Sequence, residues 1–177
     1  MTRKLRVFLD TNIIIESFRI GCWNEICERH SIETVEKCVE EAMTGDQCDP
    51  QRVDVDSNQL NSRISVIHQV TTEMRLRFLE KHPNGEGLDD GELHLLAFLS
   101  ANDLFENAIV LLSTADRAAI VVAAEMVSNT NGLDSLVSLE YIAGLSGVSQ
   151  RKSKMMKKHY LKEWLSDVKT SLQMRHI

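Results

Sequence analysis

The chain has 177 residues, of which 43% are hydrophobic and 26% charged, and this length is enough to bury the core of one domain. Two prolines and eight glycines exclude a disordered, collagen-like or linker-rich chain. The longest uninterrupted apolar run, residues 118–124, is too short to cross a membrane, and the basic start of the chain lacks the apolar core of a signal peptide. We therefore expect a cytoplasmic protein without a membrane partner.

The net charge of −6 is unevenly distributed along the chain. Residues 1–150 carry 12 basic and 24 acidic residues, whereas residues 151–177 carry 8 and 2. The basic segment could contact nucleic acid, dock on the acidic body or stay solvated, and composition favours the last two alternatives. Its candidate phosphate contacts are Arg151, Lys152, Lys154, Lys157 and Lys158.

The four cysteines lie within 27 residues and match no pattern of zinc ligands. They are Cys22, Cys27, Cys38 and Cys48. With no export signal, we expect them to be reduced and mostly buried thiols.

The chain opens with a pattern of strands and helices. Residues 5–9 are apolar and partly β-branched, which predicts a buried strand. Residues 12–19 and 23–29 are helical in pattern, and residues 30–32 leave room for a second strand.

The pattern of residues in the middle of the chain predicts two helices separated by a loop. Thr34 is the predicted N-cap of a helix that ends at Gly45, and the polar stretch 46–58 predicts a surface loop or insertion. Helical spacing of apolar residues predicts one long amphipathic helix over residues 60–81.

The second half continues the alternation. Helices are predicted over 89–102, 115–127 and 149–175, with strands at 109–112 and, more weakly patterned, 136–139. Strands that alternate with helices predict an α/β fold with a parallel sheet.

Two aspartates follow predicted strands directly. Asp10 comes after the first strand, and Asp116 comes after the strand 109–112. Ligands of open parallel sheets bind beyond the carboxyl ends of the strands, so both side chains would point into the usual site. The structural alternative for each aspartate is a helix N-cap.

Two further acidic groups lie on predicted helices. One opens the helix 89–102 and the other lies on the helix before Gly45; together they comprise Asp89, Asp90, Glu92, Glu36, Glu40 and Glu41. Carboxylates that converge at one sheet edge would repel one another unless a cation joined them. Oxygen ligands without histidine or cysteine select Mg²⁺ or Mn²⁺, which can activate a water against a phosphate.

Four segments together resemble the PIN domain family. They are VFLDTNIIIE at 7–16, VEEAMTG at 39–45, LDDGELHLLA at 88–97 and LLSTADRAA at 111–119. In that family a strand ends in Asp followed by Thr or Ser and Asn. Two acidic helices follow, and a strand with Thr-x-Asp closes the site. The resemblance covers about residues 4–127.

The resemblance implies a three-layer α/β/α sandwich over residues 1–145. The pattern of the remaining residues, 146–177, predicts a basic amphipathic helix that the family pattern lacks. The resemblance also implies a Mg²⁺- or Mn²⁺-dependent ribonuclease. The implied catalytic and metal-binding acids are Asp10, Glu41, Glu92 and Asp116, with Asp90 as a rival to Glu92. Thr114, Thr11 and Asn12 would support the ions' water shell or the scissile phosphate.

Two departures from the family pattern leave alternatives open. Ala42 stands where leucine is usual, so the second acid could instead be Glu40 or Glu36. The chain is longer than compact toxin-type members, which weakens the expectation of a toxin with an antitoxin partner. A non-catalytic PIN-like binding module, including a homodimer formed through the C-terminal helix, is the alternative to an RNA-cleaving enzyme.

Overall fold

A computed structural model describes residues 4–44, 51–127 and 132–174. Four strands form one parallel sheet in the order β3-β2-β1-β4. Their bounds are β1 (Arg6–Leu9), β2 (Ser31–Val35), β3 (Val66–His68) and β4 (Val110–Ser113). The predicted α/β fold with a parallel sheet is confirmed.

Helices connect and flank the strands. They are α1 (Thr11–Arg19), α2 (Trp23–Arg29), α3 (Glu36–Thr44), α4 (Ser57–Arg63), α5 (Thr72–Lys81), α6 (Asp90–Ala101), α7 (Leu104–Asn107), α8 (Arg117–Met126), α9 (Leu139–Leu145), α10 (Gln150–Ser153) and α11 (Lys162–Met174). Short 3-10 helices span Pro83–Gly87, Gly132–Ser135 and Lys158–Tyr160. This arrangement is compatible with a three-layer α/β/α fold. Within the described ranges, no helix is long and apolar enough to span a membrane.

The core lies around β1, a central strand of the sheet, and its neighbour β4. Val7, Phe8 and Leu9 of β1 are fully buried, and Leu112 of β4 is 1% exposed. Helix α6 packs against this layer through a buried stretch that includes Leu96. Burial of each such side chain contributes about 1.5–3 kcal/mol to the free energy of folding. This gain favours an interior position for β1 in the sheet.

The single helix predicted over residues 60–81 is wrong, because this stretch forms α4, β3 and α5. Glu33 and Val35 of β2 pair with Val66 and His68 of β3. The stretch between Leu60 and Phe78 has apolar residues at spacings that suit a helix, but pairing with β2 satisfies the backbone of this edge of the sheet.

Three smaller predictions also differ from the structure. Thr34 is not an N-cap but lies in β2, and its hydroxyl donates to the carbonyl of Leu9 at 2.7 Å. The predicted strand 136–139 is reduced to one parallel bridge between Leu136 and Leu112. The predicted helix 149–175 is divided into α10, a 3-10 helix and α11, because the stretch between them turns to dock Met156 and Tyr160 on the body.

The cysteines that the structure describes are free and buried, as predicted. Cys22, Cys27 and Cys38 form no disulfide, and burial raises the pKa of each thiol to about 12. Cys48 and part of the predicted loop lie outside the described residues. Residues 51–56 of that loop have no helix or strand.

Candidate functional site

Asp10 stands at the carboxyl end of β1 and is only 1% exposed. Its Oδ1 accepts a 2.8 Å hydrogen bond from the amide of Ile13 and so caps α1. Its Oδ2 is buried and accepts no well-aligned hydrogen bond. Burial raises the pKa of Asp10 to about 6, although nearby Thr114 and two backbone amides favour the ionised form. Asp10 is therefore both a helix cap and a carboxylate with one free oxygen.

Asp116 holds the equivalent position after β4. Its Oδ1 accepts a 3.0 Å hydrogen bond from the amide of Ala119 and caps α8. The Asp116 amide in turn donates to the Thr114 hydroxyl at 3.2 Å. Strands β1 and β4 pair in parallel from Arg6 and Val110 onward, so their carboxyl ends lie side by side. Asp10 and Asp116 therefore each cap a helix and also lie at the sheet edge where ligands of parallel sheets bind.

Glu92 of α6 completes this group of acids. The side chain is buried, with the residue 6% exposed. Burial, followed by repulsion from Asp116, Asp10 and Asp89, raises the pKa of Glu92 to about 8. Glu92 also lines a narrow crevice together with Asp10 and Thr114. We call Asp10, Glu92 and Asp116 the acidic triad.

Glu41 of α3 lies next to the triad but is engaged elsewhere. Its Oε2 accepts a 2.7 Å hydrogen bond from the Thr11 hydroxyl, and its Oε1 accepts a 3.0 Å bond from the amide of Gly91. These bonds tie α3 to the first turns of α1 and α6. Both oxygens of Glu41 are therefore engaged by these donors and not by the triad.

The structure separates the rival acids from these positions. Glu36 and Glu40 are exposed; Glu36 accepts a hydrogen bond from Gln69, and Glu40 pairs with Lys37 at 3.1 Å. Asp90 is also exposed and lies 3.8 Å from Lys37. Asp89 and Asn12 are exposed as well; Asp89 forms no side-chain cap of α6, and Asn12 lies in the first turn of α1. Glu41 and Glu92 are thus the inward-facing acids of their helices.

The acids offer the carboxylate ligands of a cation site but are not closed around an ion. Within the described ranges, no three acidic, histidine or cysteine side chains are already arranged to hold a metal ion. The donor set nevertheless suits a hard cation: all three members of the triad are carboxylates, and Asp10 Oδ2 is buried without a well-aligned donor. The mutual repulsion that raises the pKa of Glu92 is the kind that a bound cation relieves.

Of the five predicted phosphate-binding residues, one is bonded to the body of the protein and four are exposed. The Lys152 ammonium donates to the carbonyl of Gly21 at 2.6 Å and pairs with Glu25, so this lysine holds the segment to the body. The exposed residues are Arg151, Lys154, Lys157 and Lys158.

A buried acid that sequence reasoning missed holds the same segment. Glu16 of α1 is 2% exposed and accepts two 2.6 Å bonds from Arg19 and one from the amide of Lys157. Burial by itself would raise the pKa of Glu16, but these donors outweigh it and lower the pKa. Negative charge on Glu16 and Asp10 adds to burial in raising the pKa of Tyr160, which places this part of the C-terminal segment near the triad.

Gly91 and a charged cluster on the sheet were also missed. A Cβ at position 91 would overlap the Glu41 carboxylate and lie 2.8 Å from Thr11 Oγ1, so any larger residue would displace these side chains. On the sheet, Glu33 accepts bonds of 2.6 and 3.0 Å from Arg6 and lies 2.7 Å from His68 Nε2. The sequence offered two signals for these features: Gly91 lies in the first turn of a predicted helix, and Glu33 lies among apolar and β-branched residues.

Comparison of the chain with protein-family models gives no match, and comparisons with curated proteins and with solved structures give none either.

Proposed function

We propose that this chain is a PIN-like, Mg²⁺- or Mn²⁺-dependent ribonuclease that hydrolyses RNA phosphodiester bonds at the acidic triad. The observation that carries the proposal is the convergence of Asp10, Glu92 and Asp116 at one sheet edge, where their repulsion contributes to raised pKa values. Repulsion between carboxylates destabilises the fold, and acids placed in this way are typical of sites that bind a cation and a phosphate.

Each residue of the site would have a distinct role. The triad would hold the cation, which when bound activates a water molecule and stabilises charge on the phosphate. Thr114, beside Asp10 and Asp116, supplies a hydroxyl for the ion's water shell or the scissile phosphate. Thr11 fixes Glu41 through its 2.7 Å hydrogen bond. Glu41 would join the ligands only by exchanging its bonds to Thr11 and Gly91.

The exposed cations near the C terminus would hold the RNA backbone. Arg151, Lys154, Lys157 and Lys158 face solvent on a segment that Glu16 and Lys152 fasten to α1 and α2. Contacts to phosphates position a nucleic acid without reading its sequence. We therefore propose single-stranded RNA without strong base preference as the substrate, bound in a salt-dependent manner.

One observation favours a second candidate function, a PIN-like module that binds without cutting. Both carboxylate oxygens of Glu41 already accept hydrogen bonds, so the site has one fewer free ligand than the family pattern implies. In such a module the triad would be unused, and the basic segment would bind RNA or a partner protein, such as an antitoxin or a second copy of the chain.

Cleavage of end-labelled single-stranded RNA with Mn²⁺, with Mg²⁺ and with EDTA tests the proposal. Asp116→Asn is the informative variant, because asparagine keeps an acceptor oxygen for the cap of α8 but removes the charge. Glu80→Gln, an exposed acid on α5, is the matched control. We expect metal-dependent cleavage in the wild type and control and none in Asp116→Asn. Equal cleavage by all three proteins would refute the assignment, and RNA binding without cleavage would favour the second candidate.

A further inference from the structure

A cleft of about 370 Å³ lies outside the acidic triad, between the start of α9 and the face of α11. Its walls combine apolar side chains with cationic and hydroxyl groups. The polar residues of the walls are Asp134, Ser138, Tyr141, Lys162, Ser166 and Lys169. This volume falls in the range of small-ligand sites, which is about 300–1,000 Å³.

The cleft opens near the same edge of the sheet as the triad. Leu136 forms a parallel bridge with Leu112, and the amide of Val137 donates to the carbonyl of Leu112 at 2.9 Å. Because the two segments run in parallel, Ser138 and α9 lie toward the edge at which β4 leads into Thr114. Helix α11, the other wall, also packs against α8, the helix that Asp116 caps.

Both lysines place their charge at the cleft. The Lys162 ammonium lies 5.8 Å from the centre of the Tyr141 ring, which is itself part of the wall. Lys169 is half-buried, and its ammonium is attracted to Asp134 at the cleft's rim. Neither lysine forms a salt bridge within 4 Å in the described part of the chain.

The residues that line the cleft carry one net positive charge, because two lysines stand against Asp134, and Glu140 lies outside the lining. The Glu140 carboxylate accepts a 2.7 Å hydrogen bond from the backbone amide of Lys162, so it serves the start of α11. Asp134, with one negative charge, is the acid in the wall itself. Two ammonium groups, a serine hydroxyl on α11 and one at the start of α9 suit a phosphate group, which accepts hydrogen bonds on several oxygens.

We propose that this cleft binds a phosphate ester between Lys162 and Lys169. The proposal stands on the cleft's own contacts. It rests on the proposed ribonuclease function only for the source of the phosphate, which would then be the RNA strand bound at the triad. A free nucleotide presents the same chemistry, so the experiment compares the two sources.

The test is a titration of the full chain followed by amide NMR signals, in EDTA and low salt. The probes are adenosine monophosphate and a five-nucleotide single-stranded RNA. We expect saturable shifts at Ser138, Tyr141, Lys162 and Ser166 with at least one probe. Tighter binding of the RNA would assign the cleft to the nucleic-acid backbone, whereas tighter binding of the monophosphate would assign it to free nucleotides.

Lys162→Gln and Lys169→Met are the test variants, and Lys81→Gln on α5 is the charge-matched control. Each test variant should weaken the preferred probe about three- to tenfold, the effect of one charged hydrogen bond partly exposed to water. For RNA, each should also reduce the slope of log affinity against log salt by about 0.7. The control should bind as the wild type does. Thermal unfolding by circular dichroism verifies that the variants fold.

Two results would overturn the proposed phosphate site. One is that the signals of all four residues stay unmoved with both probes. The other is that a folded Lys162→Gln, Lys169→Met double variant binds the probes as the wild type does. The titration contains no divalent cation and measures no cleavage. A cleft that binds phosphate in a protein that never cuts RNA would therefore refute the nuclease and keep the phosphate site.

Discussion

The buried carboxylate of Glu16 accepts a 3.1 Å hydrogen bond from the backbone amide of Lys157, 141 residues later in the chain. Arg19, which also bonds to Glu16, donates to the carbonyl of Met155 at 2.5 Å. One acid and one arginine on α1 thus fasten the segment that carries the exposed cations. This relationship makes the basic segment part of the body rather than a free tail.

Removing the Glu16 carboxylate should release this segment. In Glu16→Ala, Arg19 and the Lys157 amide lose their acceptor, and a buried polar network left half-made is costly. We expect trypsin to cut after Lys154, Lys157 or Lys158 about tenfold faster or more, which corresponds to roughly 1.4 kcal/mol of local opening. Glu163→Ala, an exposed acid at the start of α11, is the control and should not change the cleavage pattern. Equal protection in both variants would contradict the anchoring role.

Gly91→Ala should disturb the contact between α3 and α6. The added methyl group would overlap the Glu41 carboxylate and crowd the Thr11 hydroxyl, so Glu41 must leave at least one of its bonds. Overpacking of this kind costs about 1–3 kcal/mol of unfolding free energy. Gly87→Ala is a close control, because a Cβ there would meet no atom within 4 Å. Urea unfolding of both variants measures the difference, and equal stabilities would show that the contact yields without strain.

The contribution of Glu92 to the stability of the metal-free protein should fall as the pH rises from about 4.5 to about 8. Glu92 holds its proton in the folded state up to about pH 8, whereas the unfolded chain releases it near the ordinary pKa of 4.5. At Glu92 the folded state therefore binds more protons in this window, and this contribution decreases with pH before levelling above pH 8. Asp10 adds to the same trend up to about pH 6. Burial lowers the pKa values of His30, His82 and His94, so these histidines act in the opposite direction below about pH 6.5.

Glu92→Gln isolates the contribution of Glu92. Glutamine resembles the protonated acid in shape and carries no charge, so the variant should match the wild type near pH 5. At pH 9 in EDTA it should be more stable by a few kcal/mol, on the order of the free energy of the pKa shift. Thermal unfolding at both pH values measures this, with Glu80→Gln as control. A wild type that is equally stable at pH 5 and pH 9, with Glu92→Gln no different, would show that Glu92 ionises without penalty.

Glu33→Gln should destabilise the fold more than the loss of an exposed ion pair. Arg6 donates twice to Glu33, which is 3% exposed, and the change leaves the arginine without its acceptor charge. Breaking a fully buried pair from one side costs about 3 kcal/mol or more, and the 34% exposure of the Arg6 side chain should reduce the cost here to about 2 kcal/mol. Glu28→Gln, which removes a 3.7 Å pair with Arg63 at the surface, should cost about 1 kcal/mol or less. Denaturant unfolding compares the two, and equal losses would mean that solvent screens Glu33 as it does Glu28.

The sheet illustrates what could and could not be predicted from local pattern. Strands β1 and β4 were predicted because each is a short apolar run that a polar residue ends. Strand β3 was missed because Val66, Ile67 and His68 give a weak signal of their own and become a strand through pairing with β2. The packing of the C-terminal segment around Tyr160 depends likewise on distant partners, among them Glu16.

Local patterns in the amino-acid sequence were enough to predict that strands and helices alternate and that Asp10 and Asp116 follow the strands β1 and β4. Both facts are local, since a buried strand and the residue that ends it are neighbours in the chain. The tertiary structure alone decided which acids face inward, because Glu41 and Glu92 owe their positions to the register of α3 and α6. It also placed Gly91 against the Glu41 carboxylate and docked the basic segment on Glu16. These features depend on pairs far apart in sequence, whose contact is set by packing of the whole core.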